Sequence, residues 1–124
     1  MIVYIVMVDD IHVDAFGDMH IHKSVIPCIS QDVALREVQL KLRYDIVEFS
    51  HLFNNFNKDN LDKLSYIDTI KDGSVTSIGE LNNRYALVCS GKHYNTIYQF
   101  KLWEKSNYRN MHYVIQILEL ELRE

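Results

Sequence analysis

The chain has 124 residues, 48% hydrophobic and 24% charged, enough for one core and too few for two self-sufficient ones, so a single domain over 1–124 is expected. A formal net charge of −4 excludes a nucleic-acid binder held by bulk positive charge. Two cysteines, Cys28 and Cys89, supply neither a disulfide scaffold nor a four-ligand zinc site, which sets a reduced, cytoplasmic compartment as the expectation.

Residues 2–8, IVYIVMV, are β-branched and aromatic with apolar side chains at every position, as in a central strand covered on both sides. Without a basic stretch before them, and with Asp9 and Asp10 directly after, they suit neither a signal peptide nor a membrane span. From Asp10 the sequence alternates: Ile11, Val13, Met19 and Ile21 against Asp10, His12, Asp14, Asp18, His20 and His22. A hairpin whose loop is Ala15-Phe16-Gly17, with Gly17 at positive φ, pairs Val13 with Met19 and Ile11 with Ile21. The same register sets His12 opposite His20 and Asp10 opposite His22 on the other face. Pro27 ends or edges the second strand.

Ser30 is placed to cap a helix starting near Gln31 or Asp32, and Leu35, Val38, Leu42, Ile46, Phe49 and Phe53 recur at steps of three and four, predicting helix over 31–53. Leu61, Leu64, Ile67 and Ile70 predict a second amphipathic helix that stops at Gly73. Residues 74–83 fit a loop, a short helix or a short strand. The last third reads as antiparallel sheet: 84–89, a turn at Ser90-Gly91-Lys92, 94–104 and 111–122. The expected fold is therefore α+β in the order ββααβββ, a largely antiparallel sheet in which the two chain ends pair, with two helices on one face.

The opening MIVYIVMVDD strand and hairpin, the Ser-initiated helix ISQDVALREVQLKL and the closing HYVIQILELELRE resemble those of small bacteriophage accessory proteins. That resemblance implies a cytoplasmic host-takeover or anti-defence protein, of the kind that includes anti-CRISPR inhibitors, which works by binding a host protein or ribonucleoprotein. It carries over no functional residue.

Two constellations have chemical content. His12, His20 and His22 with Asp10 offer nitrogen and oxygen ligands to a borderline divalent ion, and a metal-held water there would make a small hydrolase or nuclease. Against this, Asp and His are ordinary on the wet face of a two-stranded ribbon, and a hairpin tip gives a metal little outer support. Segment 84–110 carries five cations against Glu104 alone, a net +4, whereas residues 1–83 sum to −6. Lys92, His93, Tyr94, Lys101, Trp103, Lys105, Tyr108 and Arg109 lie in that segment, and rings beside cations suit a protein interface or single-stranded nucleic acid. Tyr98, Phe100 and Leu102 share one strand face; Ile97, Gln99, Lys101 and Trp103 share the other, so Trp103 is the expected exposed anchor. Cys89 beside His93 lacks an orienting acid and reads as a packed thiol. The residues thus favour a non-enzymatic interaction module without cofactor, contacting a protein, with a homodimer, nucleic acid or metal-dependent catalysis as alternatives.

Overall fold

The computed structural model describes residues 1–60, 75–76, 79–105 and 112–123. The helix expected over 61–70 lies outside them. Five antiparallel strands form the main sheet: β1 (Ile2–Val13), β2 (Met19–Cys28), β6 (Tyr85–Ser90), β7 (Thr96–Glu104) and β8 (His112–Glu121), in the order β2-β1-β8-β7-β6. The chain ends pair as expected, Ile2 opposite Glu121 through Ile11 opposite His112. The first hairpin also has the expected register, with Val13 opposite Met19, Ile11 opposite Ile21, His12 opposite His20 and Asp10 opposite His22. Its loop is closed by Asp14, whose Oδ1 accepts from the amides of Phe16 at 2.9 Å and Asp18 at 3.0 Å, while Gly17 takes φ +83°. A short carboxylate that bonds its own downstream amides fixes such a turn locally.

Helix α1 (Gln31–Asp45) begins where Ser30 Oγ accepts from the Val33 amide at 3.2 Å. It ends earlier than its apolar spacing predicts. From Ile46 to Leu52 the chain tightens into a 3-10 segment, in which a three-residue repeat brings Ile46, Phe49 and Leu52 onto one buried side. The stretch IVEFSHL is rich in β-branched, aromatic and Ser/His residues that hold an α-helix weakly. Residues described between 53 and 81 form a second, small sheet of β3 (Phe53–Asn54), β4 (Val75–Thr76) and β5 (Gly79–Leu81), in the order β3-β5-β4. Gly79 is required there: a Cβ would lie 2.9 Å from the Asn54 carbonyl oxygen, and its φ is +142°.

The core lies on one face of the main sheet. Val6 and Val8, Cys28, Leu87, Tyr98, Phe100 and Leu102, and Tyr113, Ile115 and Ile117 meet Ala34, Val38 and Leu42 of α1, with Ile46, Phe49, Leu52, Phe53 and Leu81 completing the cluster. A polar contact crosses it: the Tyr113 hydroxyl donates to Asp45 Oδ2 at 2.5 Å, and Lys41 Nζ holds Asp45 Oδ1 at 3.1 Å. Lys41 thus reaches the carboxylate one turn onward, and a buried acid is satisfied from both sides.

Burial, the hydrogen bond to Asp45 and the nearby charges of Asp45 and Asp10 push the Tyr113 phenol far above its ordinary value of 10, and burial does the same for Tyr98. A raised folded-state value means that the folded chain keeps protons which the unfolded chain releases, so this stability is whole below pH 10 and falls as pH climbs above it. Urea midpoints are therefore expected to decline above pH 10, less steeply in Tyr113→Phe. At pH 7 that substitution is expected to cost about 1.5–3 kcal/mol, the worth of a hydrogen bond to a charged group. A flat alkaline limb in the unmodified protein contradicts this account.

Candidate functional site

Strand periodicity gives every residue of the main sheet a side, and the second side is the unexpected one. Across it run Val3, Ile5, Met7, Asp9 and Ile11 of β1, Met19, Ile21, Lys23 and Val25 of β2, and Val114, Gln116, Leu118 and Leu120 of β8, with Gln99, Lys101 and Trp103 of β7 and Val88 of β6 beyond. All of these are half-buried or exposed. Met19, Ile21 and Val25 are 53%, 50% and 58% exposed. The described elements outside the main sheet that bury side chains, α1, the 3-10 segment and the small sheet, join the core cluster on the first side. Strand β1 is therefore interior within the sheet, as its sequence requires, but none of the described elements outside the sheet packs on its second face.

At both extremes of the sheet the usual polarity is reversed. In the first hairpin Asp10, His20 and His22 lie on the core side, whereas Ile11, Ile21 and Met19 lie on the second side. At the other end Glu119, opposite Tyr4, is on the core side, and Leu118 and Leu120 are on the second. The apolar half of each alternation thus points away from the core. The exposed apolar side chains are therefore contiguous stripes and not isolated surface residues.

Polar groups interrupt that surface, Gln99 opposite Gln116 and, beside them, a charged row. Lys101 lies opposite Val114, which lies opposite Asp9, which lies opposite Lys23. Asp9 Oδ1 is sealed from water without a hydrogen bond, its nearest cation being Lys23 Nζ at 3.9 Å, too far for a hydrogen bond. An acceptor left this way carries a free-energy cost. Lys101 Nζ lies 5.2 Å from the Trp103 ring centroid, a cation–π geometry that holds the indole beside the charged row.

The β6–β7 connection forms the second part of the site. Its turn is Tyr94-Asn95, later than Ser90-Gly91-Lys92, because His93 and Thr96 bond each other through both amides, at 2.7 and 3.1 Å. Tyr94 takes φ +53° and is 86% exposed, its ring 4.6 Å from that of His93, edge to face. A left-handed backbone at a bulky residue with no core role costs about 1–3 kcal/mol. Ser90, Gly91, Lys92, His93, Thr96 and Gln99 line a half-open hollow of about 490 Å³, continuous with the second face through Gln99 and Ser90.

The expected interaction residues are thus brought into two groups. Trp103, with Lys101, is half-buried on the second face, a side-on platform in place of a projecting anchor; Lys92, His93 and Tyr94 surround the hollow. Lys105 is exposed at the far end of β7, about 30 Å along the strand from the turn, and Tyr108 and Arg109 lie outside the described residues. Tyr98 and Phe100 are sealed in the core, which leaves few rings for base stacking. Ile97 also packs against the core, contrary to its alternation, because a bulge shifts the β7–β8 register between Thr96 and Tyr98. Arg84 is drawn to the buried Glu104, Nη2 to Oε1 3.6 Å. Burial pushes the Cys89 thiol up, against a smaller lowering by its bond with Tyr98, so Cys89 is not an activated nucleophile.

For the Asp/His constellation, no three His, Cys, Asp or Glu side chains among the described residues are arranged to hold a metal ion; the side chain of His12 is outside that description. His20 turns its Nε2 to Asp14 Oδ2 at 2.8 Å, and Asp10 and His22, neither without a partner, face each other in register. Met19, Ile21, Val25 and Asp9 were not singled out by sequence. The signal was present in IVYIVMV, which is apolar on both sides and needs two covers. Comparison with known proteins gives no match: no family model, no curated protein and no solved structure is similar to this chain.

The bond from His20 and the Asp18 amide, with smaller help from the Phe16 amide and the imidazole charge, hold the Asp14 carboxyl below its ordinary value of 3.8, against an opposing effect of desolvation. An NMR titration of Asp14 is expected to give a midpoint below 3.8 that moves up in His20→Ala. An unchanged midpoint in the variant removes His20 as the principal cause.

Proposed function

We propose that this protein is a non-enzymatic binding module that docks a macromolecular partner on the second face of its sheet, with the β6–β7 turn gripping the rim. The observation that carries this reading is the apolar surface formed by Met19, Ile21 and Val25 at half exposure or more, together with Ile11, Met7, Val114 and Trp103. Burying such side chains is worth about 25 cal/mol per Å² of apolar surface removed from water. The charged row supplies orientation through exposed Lys23 and half-buried Lys101, which favour a partner with acidic groups opposite them. Tyr94 supports the same reading: its strained backbone is a stability cost at a position whose only evident use is its exposed ring.

The resemblance to phage accessory proteins directs the partner to a bacterial host, and inhibition of a defence or regulatory protein is the biological role proposed. Mainly apolar contact with half-buried tryptophan fits a protein better than a single-stranded nucleic acid, for which stacking rings along a cationic groove are needed.

The test uses the immobilised chain in bacterial lysate and then the purified partner. Trp103→Ala and Ile21→Lys are expected to weaken binding at least tenfold, whereas Tyr44→Ala, exposed on α1, leaves it unchanged. Tyr94→Gly is expected to weaken binding while raising stability by about 1 kcal/mol as backbone strain is relieved. The reading fails if the folded chain recovers no specific partner, if Trp103→Ala and Ile21→Lys bind as well as wild type, or if capture vanishes on nuclease treatment and falls steeply with salt.

A further inference from the structure

Strand β2 is an edge of the main sheet, and Met19 to Val25, seven consecutive residues, are exposed. Edge strands are usually short, charged or covered, because their free amides and carbonyls are templates for another strand. Here the direction of those groups can be fixed. The Asp14 amide bonds the Asp18 carbonyl at 2.9 Å, and the Leu122 amide bonds the Met1 carbonyl at 2.8 Å. Carrying the alternation of an antiparallel ladder along the observed register, even-numbered residues of β1 bond β2 and odd-numbered ones bond β8. In β2, then, residues 20, 22, 24, 26 and 28 bond inward. Met19, Ile21, Lys23 and Val25 present their amides and carbonyls outward. Pro27 occupies the next outward position, where its missing N–H costs the sheet nothing and ends the donor row.

We propose that two copies of this chain pair through β2, antiparallel about a two-fold axis at His22, to form one continuous ten-stranded sheet. The edge selects this register itself. Centred on His22, Met19 pairs with Val25 of the second copy and Ile21 with Lys23, so all four outward residues bond and Pro27 is left outside. Centring on Lys23 places like charges opposite each other and sets Pro27 against a carbonyl that needs a donor; centring on Ile21 leaves Val25 without a strand partner. Lys23 does not guard the edge, since its Nζ leans across its own sheet toward Asp9. A two-fold axis needs a self-complementary strip, which these four residues provide. Their side chains all lie on the second face, so pairing makes the apolar surface continuous across both copies. The pairing rests on the exposed edge and the ladder alone; it neither requires nor excludes the partner proposed above.

The experiment is sedimentation equilibrium of the full chain at tens of micromolar, with a cross-linking arm. Wild type is expected at twice the 14.7 kDa chain mass. Val25→Pro, which removes only an outward amide, is expected to remain folded by circular dichroism and to sediment as a monomer. In the proposed register the two His22 residues form a non-hydrogen-bonded pair with Cα atoms about 4.5 Å apart, within disulfide reach. Oxidised His22→Cys is therefore expected to run as a covalent dimer, while His20→Cys, which faces Ser24 of the second copy, does not; oxidised wild type is the blank. A wild-type monomer at that concentration, a dimer indifferent to Val25→Pro, or equal cross-linking of both cysteine variants overturns the proposal. If Val25→Pro fails to fold, the cysteine pair decides alone.

Discussion

Helix α1, the one α-helix among the described residues, can cover only part of one face of a five-stranded sheet, and much of the described structure follows from that constraint. Strand spacing makes the sheet about 20 Å wide, whereas a helix with its side chains is about 10 Å across. Helix α1 covers the middle of the core face, the 3-10 segment and the small sheet extend that cover, and the strands run past it at both ends. There the core-side positions turn polar, as Asp10, His20, His22 and Glu119 do. The second face keeps apolar side chains over most of its length. Such a face exposes more large apolar side chains than isolated surface positions do.

The link between helix and sheet is polar at one point. Asp45 sits at the last position of α1 and receives the Tyr113 hydroxyl from β8, 68 residues later in the chain, with Lys41 on its other oxygen. Apolar packing alone tolerates a slide of one helix turn; a buried carboxylate with two partners does not, because any slide leaves it desolvated and unpaired. The site's geometry depends on this lock indirectly, since β8 supplies the middle row of the second face.

Much of the fold was legible where a local rule acts alone. Alternation around Gly17 set the first hairpin's register residue for residue, Ser30 set the start of α1, and the apolar ends of the chain announced their pairing. What was not legible needed information from across the chain. Alternation sorts residues onto two sides without saying which side the helix will occupy, so the hairpin's apolar side turned out to be the uncovered one. The bulge at Ile97 and the late turn at Tyr94-Asn95 are set by pairing with β8 and β6, and neither carries a glycine signal. The steps of three in Ile46, Phe49 and Leu52 suit either helix type, and only packing chose between them. Of the candidate site, Lys101 and Trp103 were found because one strand's alternation suffices for them; Asp9 and Val25 were missed because their role depends on what three other strands leave uncovered.

The left-handed backbone at Tyr94 also bears on how the β6–β7 ribbon assembles. A tight turn usually helps to start a hairpin, because closing a short loop is cheap and brings the first pairs together. This turn begins with an unfavourable conformation, so it is a poor starting point. The ribbon's buried contacts lie instead at Leu87 and Leu102, whose side chains face each other in register. The outward tip is held by the paired backbone bonds of His93 and Thr96 and not by core packing.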